Sequence, residues 1–189
     1  ARKSDTSYWL GTFQSGLWSW DLSSDTATLV WASSAEAGLN GINVIRSQKG
    51  GQKLYLGTKA GLVVWSPDSK KYTHHPTHLS GKSASEAVNG ITCHSDGDVF
   101  ITSWGGVFCY RPDTDHFYRL LPEVIDPGKY GHIPYRMVSL DEDRILINIH
   151  NDGFLMYDTQ TKTGTGLYSF PEHTHYIHSK DANGNLWKT

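Results

Sequence analysis

At 189 residues, 38% hydrophobic and 12% aromatic, the chain can bury a substantial core and suits one domain or part of a larger one. Its 17 basic and 19 acidic residues include no basic block, which argues against nucleic acid or an anionic membrane surface as the main partner. No apolar run approaches the roughly 18 residues needed to cross a bilayer. The first residues lack the apolar core of a signal peptide, and two cysteines say little about redox environment, so compartment stays open.

In chain order, the first run is Tyr8-Trp9-Leu10-Gly11-Thr12. A short polar turn follows, then Gly16-Leu17-Trp18-Ser19-Trp20-Asp21. The Gly opening the second run recurs at Gly61, Gly106 and Gly153, in steps of 45, 45 and 47. The aromatic four residues later recurs as Trp20, Trp65, Tyr110 and Tyr157. The middle of the first run recurs as Trp9, Tyr55, Phe100, Leu146 and Trp187. Repeats of this length mark solenoids, propellers or arrays. The runs are short, rich in aromatic and β-branched residues, and bounded by Gly, Asp, Asn and Pro, so they read as strands. No sustained 3.6-residue apolar period with caps supports helical repeats.

Each repeat holds four strands. The first is a modest apolar stretch: Ile42–Arg46, Val88–Cys93, Tyr135–Leu140 and Tyr176–Ser179. The second is the Trp9-type run, and the third begins at the repeated Gly. The fourth is more polar: Ala27–Trp31, Lys71–His74, His116–Leu120 and Thr165–Tyr168. Polarity that rises toward the fourth strand fits a radial sheet whose outer strand meets water. The expected fold is therefore an all-β propeller of four-stranded antiparallel blades. The expected blades are 42–74, 88–120 and 135–168, with partial blades at 1–31 and 175–189. Turns containing Gly50-Gly51, Gly97 and Gly184 supply positive φ between first and second strands. Ser66-Pro67-Asp68 and Arg111-Pro112-Asp113 join third to fourth strands.

These residues bear a family resemblance. Asp181-Ala182-Asn183-Gly184-Asn185-Leu186-Trp187-Lys188-Thr189 resembles the D-x-x-G-x-L-W-x-G-T signature of two-component regulator propeller repeats, without its second Gly. Trp9-Leu10-Gly11-Thr12 and Tyr55-Leu56-Gly57-Thr58 keep that Gly. Gly16-Leu17-Trp18-Ser19-Trp20-Asp21 matches the G-L-x-x-[YW]-D part. The third copy drifts to Ile101-Thr102-Ser103 and the fourth to Ile147-Asn148-Ile149. The resemblance implies the periplasmic sensor region of a Bacteroides-type hybrid two-component system. Such a parent is an inner-membrane histidine kinase and response regulator with two seven-bladed propellers. It implies an oligosaccharide ligand, no cofactor, and signalling by dimer rearrangement into transcription regulation. Contact with membrane or DNA would belong to parts of the parent outside this chain.

Two closures are open. One is a four-bladed ring completed by both termini, which leaves one second strand redundant. The favoured one is an arc of about four blades from a larger, seven-bladed ring. An arc bares its end blades, which predicts self-association or docking of neighbouring blades.

Trp9, Trp18, Trp20, Tyr55, Trp65, Phe100, Tyr110 and Tyr157 are expected to pack between sheets, because most occupy repeated positions. Trp104 sits in a turn between second and third strands, where it is expected to have no aromatic counterpart. That turn shares a face with the long, variable fourth-to-first connections, where binding residues concentrate. The candidate ligand-binding residues are Gln14, Lys59, Trp104, Tyr130, His132, Arg136, His150 and Asn151. The groups His74-His75-x-x-His78 and His173-x-His175-x-x-His178 lack a completing Cys or carboxylate set, so no metal is expected. Residues 179–187 resemble the Asp-box of sialidases but read as a turn motif. Cys93 and Cys109 fall on non-adjacent strands about 9–10 Å apart, beyond the roughly 7 Å disulfide limit, so two free, buried thiols are expected. Rival readings are a glycan-active propeller enzyme, a lyase related to streptogramin lyase, and a protein-binding scaffold. Asp141, Glu142 and Asp143 fall on the opposite face, and no carboxylate is placed to orient His132 or His150, so no catalytic set is assigned.

Overall fold

Alternating apolar residues drive the strands together, and Gly, Asp and Pro end each of them. The computed structural model describes residues 1–32, 39, 41–48, 52–77, 87–121, 125, 133–150, 153–168, 177–181 and 183–188. Its regular elements are all strands. The first sheet holds β1 (Ser7–Gly11), β2 (Leu17–Asp21) and β3 (Thr26–Trp31). The second holds β4 (Ile42–Ser47), β5 (Leu54–Thr58), β6 (Gly61–Ser66) and β7 (Lys71–His75). The third holds β8 (Val88–Cys93), β9 (Val99–Ser103), β10 (Gly106–Arg111) and β11 (His116–Leu120). The fourth holds β12 (Ile133–Ser139), β13 (Arg144–His150), β14 (Gly153–Asp158) and β15 (Thr163–Tyr168). The last pairs β16 (Ile177–Lys180) with β17 (Leu186–Lys188). Neighbours within each sheet follow chain order and run antiparallel, as in propeller blades.

The sheets stack in chain order. β1 packs on β4, β4 on β8, β8 on β12, and β12 on β16. No extensive packing joins the last described sheet to the first. The core lies in layers between consecutive sheets. Trp9 and Leu17 meet Leu54, Leu56, Val63 and Trp65. Tyr55, Leu62 and Val64 meet Ile91, Val99, Ile101, Phe108 and Tyr110. Phe100, Val107 and Cys109 meet Ile145, Ile147, Leu155 and Tyr157. A strand between two neighbours must be apolar on both faces. So every residue of β5 and β9 is buried, whereas β7 is exposed except for half-buried His75.

An aromatic pair recurs across each of the first three junctions. Trp9 meets Trp65 at 5.5 Å between ring centroids, Tyr55 meets Tyr110 at 6.2 Å, and Phe100 meets Tyr157 at 5.8 Å. All six rings are buried, which accounts for the conserved spacing of these positions along the chain. Trp187 shares the repeat position of Trp9 but is 60% exposed. Trp18 and Trp20 depart from the expectation of burial between sheets. They are half-buried, and their indole N–H groups donate to Ser15 O and Asp25 Oδ1 within their own sheet.

Two kinds of glycine make the repeat. Gly16, Gly61, Gly106 and Gly153 open the third strands at φ of 81°, 128°, 131° and 106°, where an L side chain is strained. Gly11 and Gly57 are instead needed for close approach. A Cβ on Gly11 would lie 2.5 Å from Ile42 Cγ2, and one on Gly57 would lie 2.6 Å from Val88 Cγ1. The next inner strand presses directly on the backbone there.

Two strand bounds change. β12 starts at Ile133, two residues early, and takes in Pro134, which an innermost edge strand tolerates because one side needs no N–H. β7 runs to His75 because its ring docks on the next sheet. The first strand of the chain, β1, is a second strand, in a sheet of three. Ala1 pairs with Trp9 through bonds of 2.7 and 2.9 Å, in the slot that Arg46 takes beside Tyr55. Turn chemistry otherwise follows the sequence. Gly97 and Gly184 have φ of 97° and 87°, and Asp181 Oδ1 accepts from the amides of Asn183 and Asn185. Gly50 and Gly51 lie outside the described residues.

Both cysteines are free, as their strand positions require. Cys109 is buried and its thiol is pushed up to about 12. Cys93 is only half-buried, because it lies on an inner strand open on one side, and burial still pushes it up to about 11.

Candidate functional site

Two neighbouring regions matter: the turns between second and third strands, and the cavity enclosed by the inner strands. On the turns, Gln14 and Lys59 are exposed. Lys59 extends across Gly41 and sets its Nζ 3.8 Å above the ring of Phe13. Phe13 is 61% exposed and lies in the same turn as Gln14. It thus supplies the aromatic counterpart that Trp104 was expected to lack. The first copy of this turn is one residue longer than the second, and that insertion was the available signal.

Trp104 is 43% exposed, and its amide donates to Ala87 O. Its turn rests on Thr77, since a Cβ on Gly105 would collide with the Thr77 carbonyl oxygen. His150 ends β13, half-buried opposite Ile133. Tyr130, His132 and Asn151 lie outside the described residues. The structure therefore brings Lys59 over Phe13, the chain neighbour of Gln14, across the first two sheets. Arg136 is placed apart, on β12.

Arg136 lines the axial cavity, about 430 Å³, formed by residues of β1, β4, β8 and β12. Among the described residues its polar lining comprises Asn43, Arg46, Asn89, Arg136 and the Ala1 amine, with no acidic side chain. A β-bulge recurs in β4, β8 and β12 and leaves Asn43, Asn89 and Tyr135 out of register. Asn43 Nδ2 donates to Val88 O at 3.1 Å and ties β4 to β8. Thr92 and Thr102 donate to Met137 O and Tyr135 O and tie the third sheet to β12. Asn89 Nδ2 and Arg136 Nε are buried without a hydrogen-bond partner in the protein. Leaving such a donor unmatched costs about 1–3 kcal/mol. Asn43 and Asn89 were missed in the sequence, where the bulge that turns them out leaves no signature.

The opposite face holds a wider cavity of about 740 Å³, lined by Gln48, Cys93, His94 and Leu140–Glu142 among others. His94 Nδ1 stands 2.9 Å from Asp96 Oδ1 but out of line for a hydrogen bond. The raised Cys93 thiol offers no thiolate at neutral pH. Asp141 is held by Arg144 through its side chain, which keeps its carboxyl below the usual range. In the first His group the two described histidines diverge, and His78 lies outside the described residues. His74 meets Ala60 O at 2.8 Å, while His75 lies against Tyr110 and Phe117. Among the described residues no three His, Cys, Asp or Glu side chains converge.

Comparison with solved structures identifies the class to which this fold belongs. The whole chain superposes on the extracellular domain of the hybrid two component system BT3049 from B. thetaiotaomicron, with a TM-score of 0.68 and 19% identity. It superposes equally on the extracellular domain of BT4673 from the same organism, a one component system in one description, with a TM-score of 0.72 and 18% identity. A second structure of that domain, described there as a hybrid two component system, gives a TM-score of 0.70 and 18% identity. The chain spans about a quarter of each domain, 24% in every case. At these identities the likeness is one of fold. These domains belong to the class of systems that the repeat signature resembles. No family model matches the sequence. No curated protein matches it either.

Proposed function

We propose that the chain is a non-catalytic, ligand-sensing stretch of the propeller region of a hybrid two-component sensor, outside the cytoplasm in the periplasm. The observation that supports this most is the chain-long fold likeness to two extracellular sensor domains. The ligand is an oligosaccharide. It is held at the turn face by exposed aromatic and polar groups, Phe13, Gln14, Lys59 and Trp104, and along the axial cavity by Arg136. Tyr130, His132, His150 and Asn151 complete the proposed contacts. Exposed rings of this kind stack on the apolar faces of sugars, and amides and arginine donors match hydroxyl oxygens. Signalling follows from differential affinity: a ligand that prefers one arrangement of the parent dimer shifts the population toward it.

Titration calorimetry of this chain with a glycan panel tests the reading. At least one oligosaccharide is expected to bind, and Trp104→Ala is expected to weaken it without unfolding the chain. If every glycan fails to bind, the reading fails. Cleavage of a bound glycan, followed by NMR, would replace it with the enzyme reading.

A further inference from the structure

We infer that the axial cavity selects an acidic oligosaccharide, binding a sugar carboxylate or sulfate between Arg136 and Asn89. This rests on the oligosaccharide reading above and narrows it to a ligand class.

The argument is one of supply and demand among polar groups. Among the described residues the cavity wall presents donors and no carboxylate. Asn43 is already satisfied by Val88 O. Asn89 Nδ2 and Arg136 Nε are both shielded from solvent and both lack an acceptor within the protein. They stand on adjacent inner strands at adjoining repeat positions, Asn89 at the bulge and Arg136 one residue beyond it. Gly90 occupies in β8 the position that Arg136 holds in β12, and a Cβ there would lie 3.3 Å from Arg136 Cα. The two strands therefore approach closely at that level, with the Thr102 hydroxyl, which donates to Tyr135 O, beside them. A guanidinium fork matches two oxygens of one planar carboxylate, and a neutral hydroxyl uses only part of that geometry.

The surrounding charges have the same sign. Arg46 lies on the opposite inner strand, with Nη1 on Ile45 O, and also lines an adjoining cavity of about 350 Å³ together with Lys180. Asp181, the one acidic residue of that second cavity among the described residues, is occupied by its own turn amides and by Asn185. The Ala1 ammonium is spent on Trp9 O. The chain carries a formal net charge of −2, so this positive interior is local and does not reflect the overall balance.

The test uses the 189-residue chain and three probes: tetragalacturonate, its fully methyl-esterified form, and a neutral tetrasaccharide such as maltotetraose. A sulfated disaccharide separates carboxylate from sulfate as the preferred acid. Calorimetry is expected to show the free acid binding about tenfold or more tighter than its methyl ester, with affinity falling as salt rises. Arg136→Gln is expected to remove that preference, lowering affinity for the acid about tenfold more than affinity for the ester. Arg136→Lys, which keeps charge without the fork, is expected to fall between. Asn89→Leu gives a second variant if Arg136→Gln fails to fold by circular dichroism. Equal affinity for acid and ester, or an acid preference that survives both variants, overturns the inference and leaves the oligosaccharide reading standing. So does binding of the neutral sugar alone. Failure of all glycans, neutral and acidic, overturns both.

Discussion

Replacing Trp65 by Ala is expected to be among the most damaging single changes in the chain. Trp65 is 1% exposed and meets Trp9 edge-on across the first junction, at an interplanar angle of 76°. A buried tryptophan removes about 150–250 Å² from water. At about 25 cal/mol per Å² this is worth about 4–6 kcal/mol, an upper bound because the unfolded chain already buries some of that area. Truncations of this kind cost about 3–5 kcal/mol, a large share of the about 5–15 kcal/mol that holds a domain together. The indole Nε1 is buried with no partner, so Trp65→Phe forfeits no hydrogen bond and is expected to cost under about 1.5 kcal/mol. Urea unfolding followed by far-UV circular dichroism gives both numbers. A double-mutant cycle with Trp9→Ala is expected to show about 0.5–1.5 kcal/mol of coupling. A Trp65→Ala cost below about 1 kcal/mol, or additive effects at the two sites, would refute the view that these rings join the blades.

Three further outcomes follow from the same geometry. Burial holds His75 below the ordinary histidine range; Asp115, 3.6 Å away, opposes that effect and His74 adds to it. Below about pH 6.5 the unfolded chain takes the proton first, so this site costs stability progressively as pH falls toward the folded value. His75→Phe, which keeps the stack on Phe117, is expected to flatten the decline of the urea midpoint between pH 7 and 5; an unchanged slope would discount His75 as its source. Gly57→Ala is expected to lower stability by about 1–3 kcal/mol through collision with Val44 and Val88, whereas a neutral result in thermal unfolding would show that the inner strand has room to move. Trp187 and Leu186 are 60% and 41% exposed, and light scattering at micromolar protein is expected to show self-association that Trp187→Ser reduces. A monomer at every concentration would count against it.

Much of the fold was legible because a propeller writes its geometry into the chain as a period. Gly16, Gly61, Gly106 and Gly153 recur because each third strand opens at positive φ. Trp9, Tyr55 and Phe100 recur because each must meet a ring of the next sheet. Cys93 and Cys109 could be kept apart on strand count alone. Legibility failed where a contact has no period. Trp18 and Trp20 looked like inter-sheet packing but turn toward acceptors in their own sheet. Ala1 and Arg2 carry no strand signal, yet backbone pairing with Tyr8 and Trp9 recruits them.

The candidate site divides along the same line. Local sequence is enough to place Gln14, Lys59 and Trp104 in turns, because turn position depends only on neighbours along the chain. That Lys59 lies over Phe13 depends on how two sheets sit beside each other. The axial cavity goes further, since Asn89 and Arg136 are 47 residues apart and line one cavity only because successive inner strands stack with a shared bulge. Strand, turn and repeat were written in the order of residues, since φ preference and apolar alternation are local properties. Which donors face one another across the axis was decided by the packing of blades, because that geometry is a sum over contacts that no single stretch of chain contains.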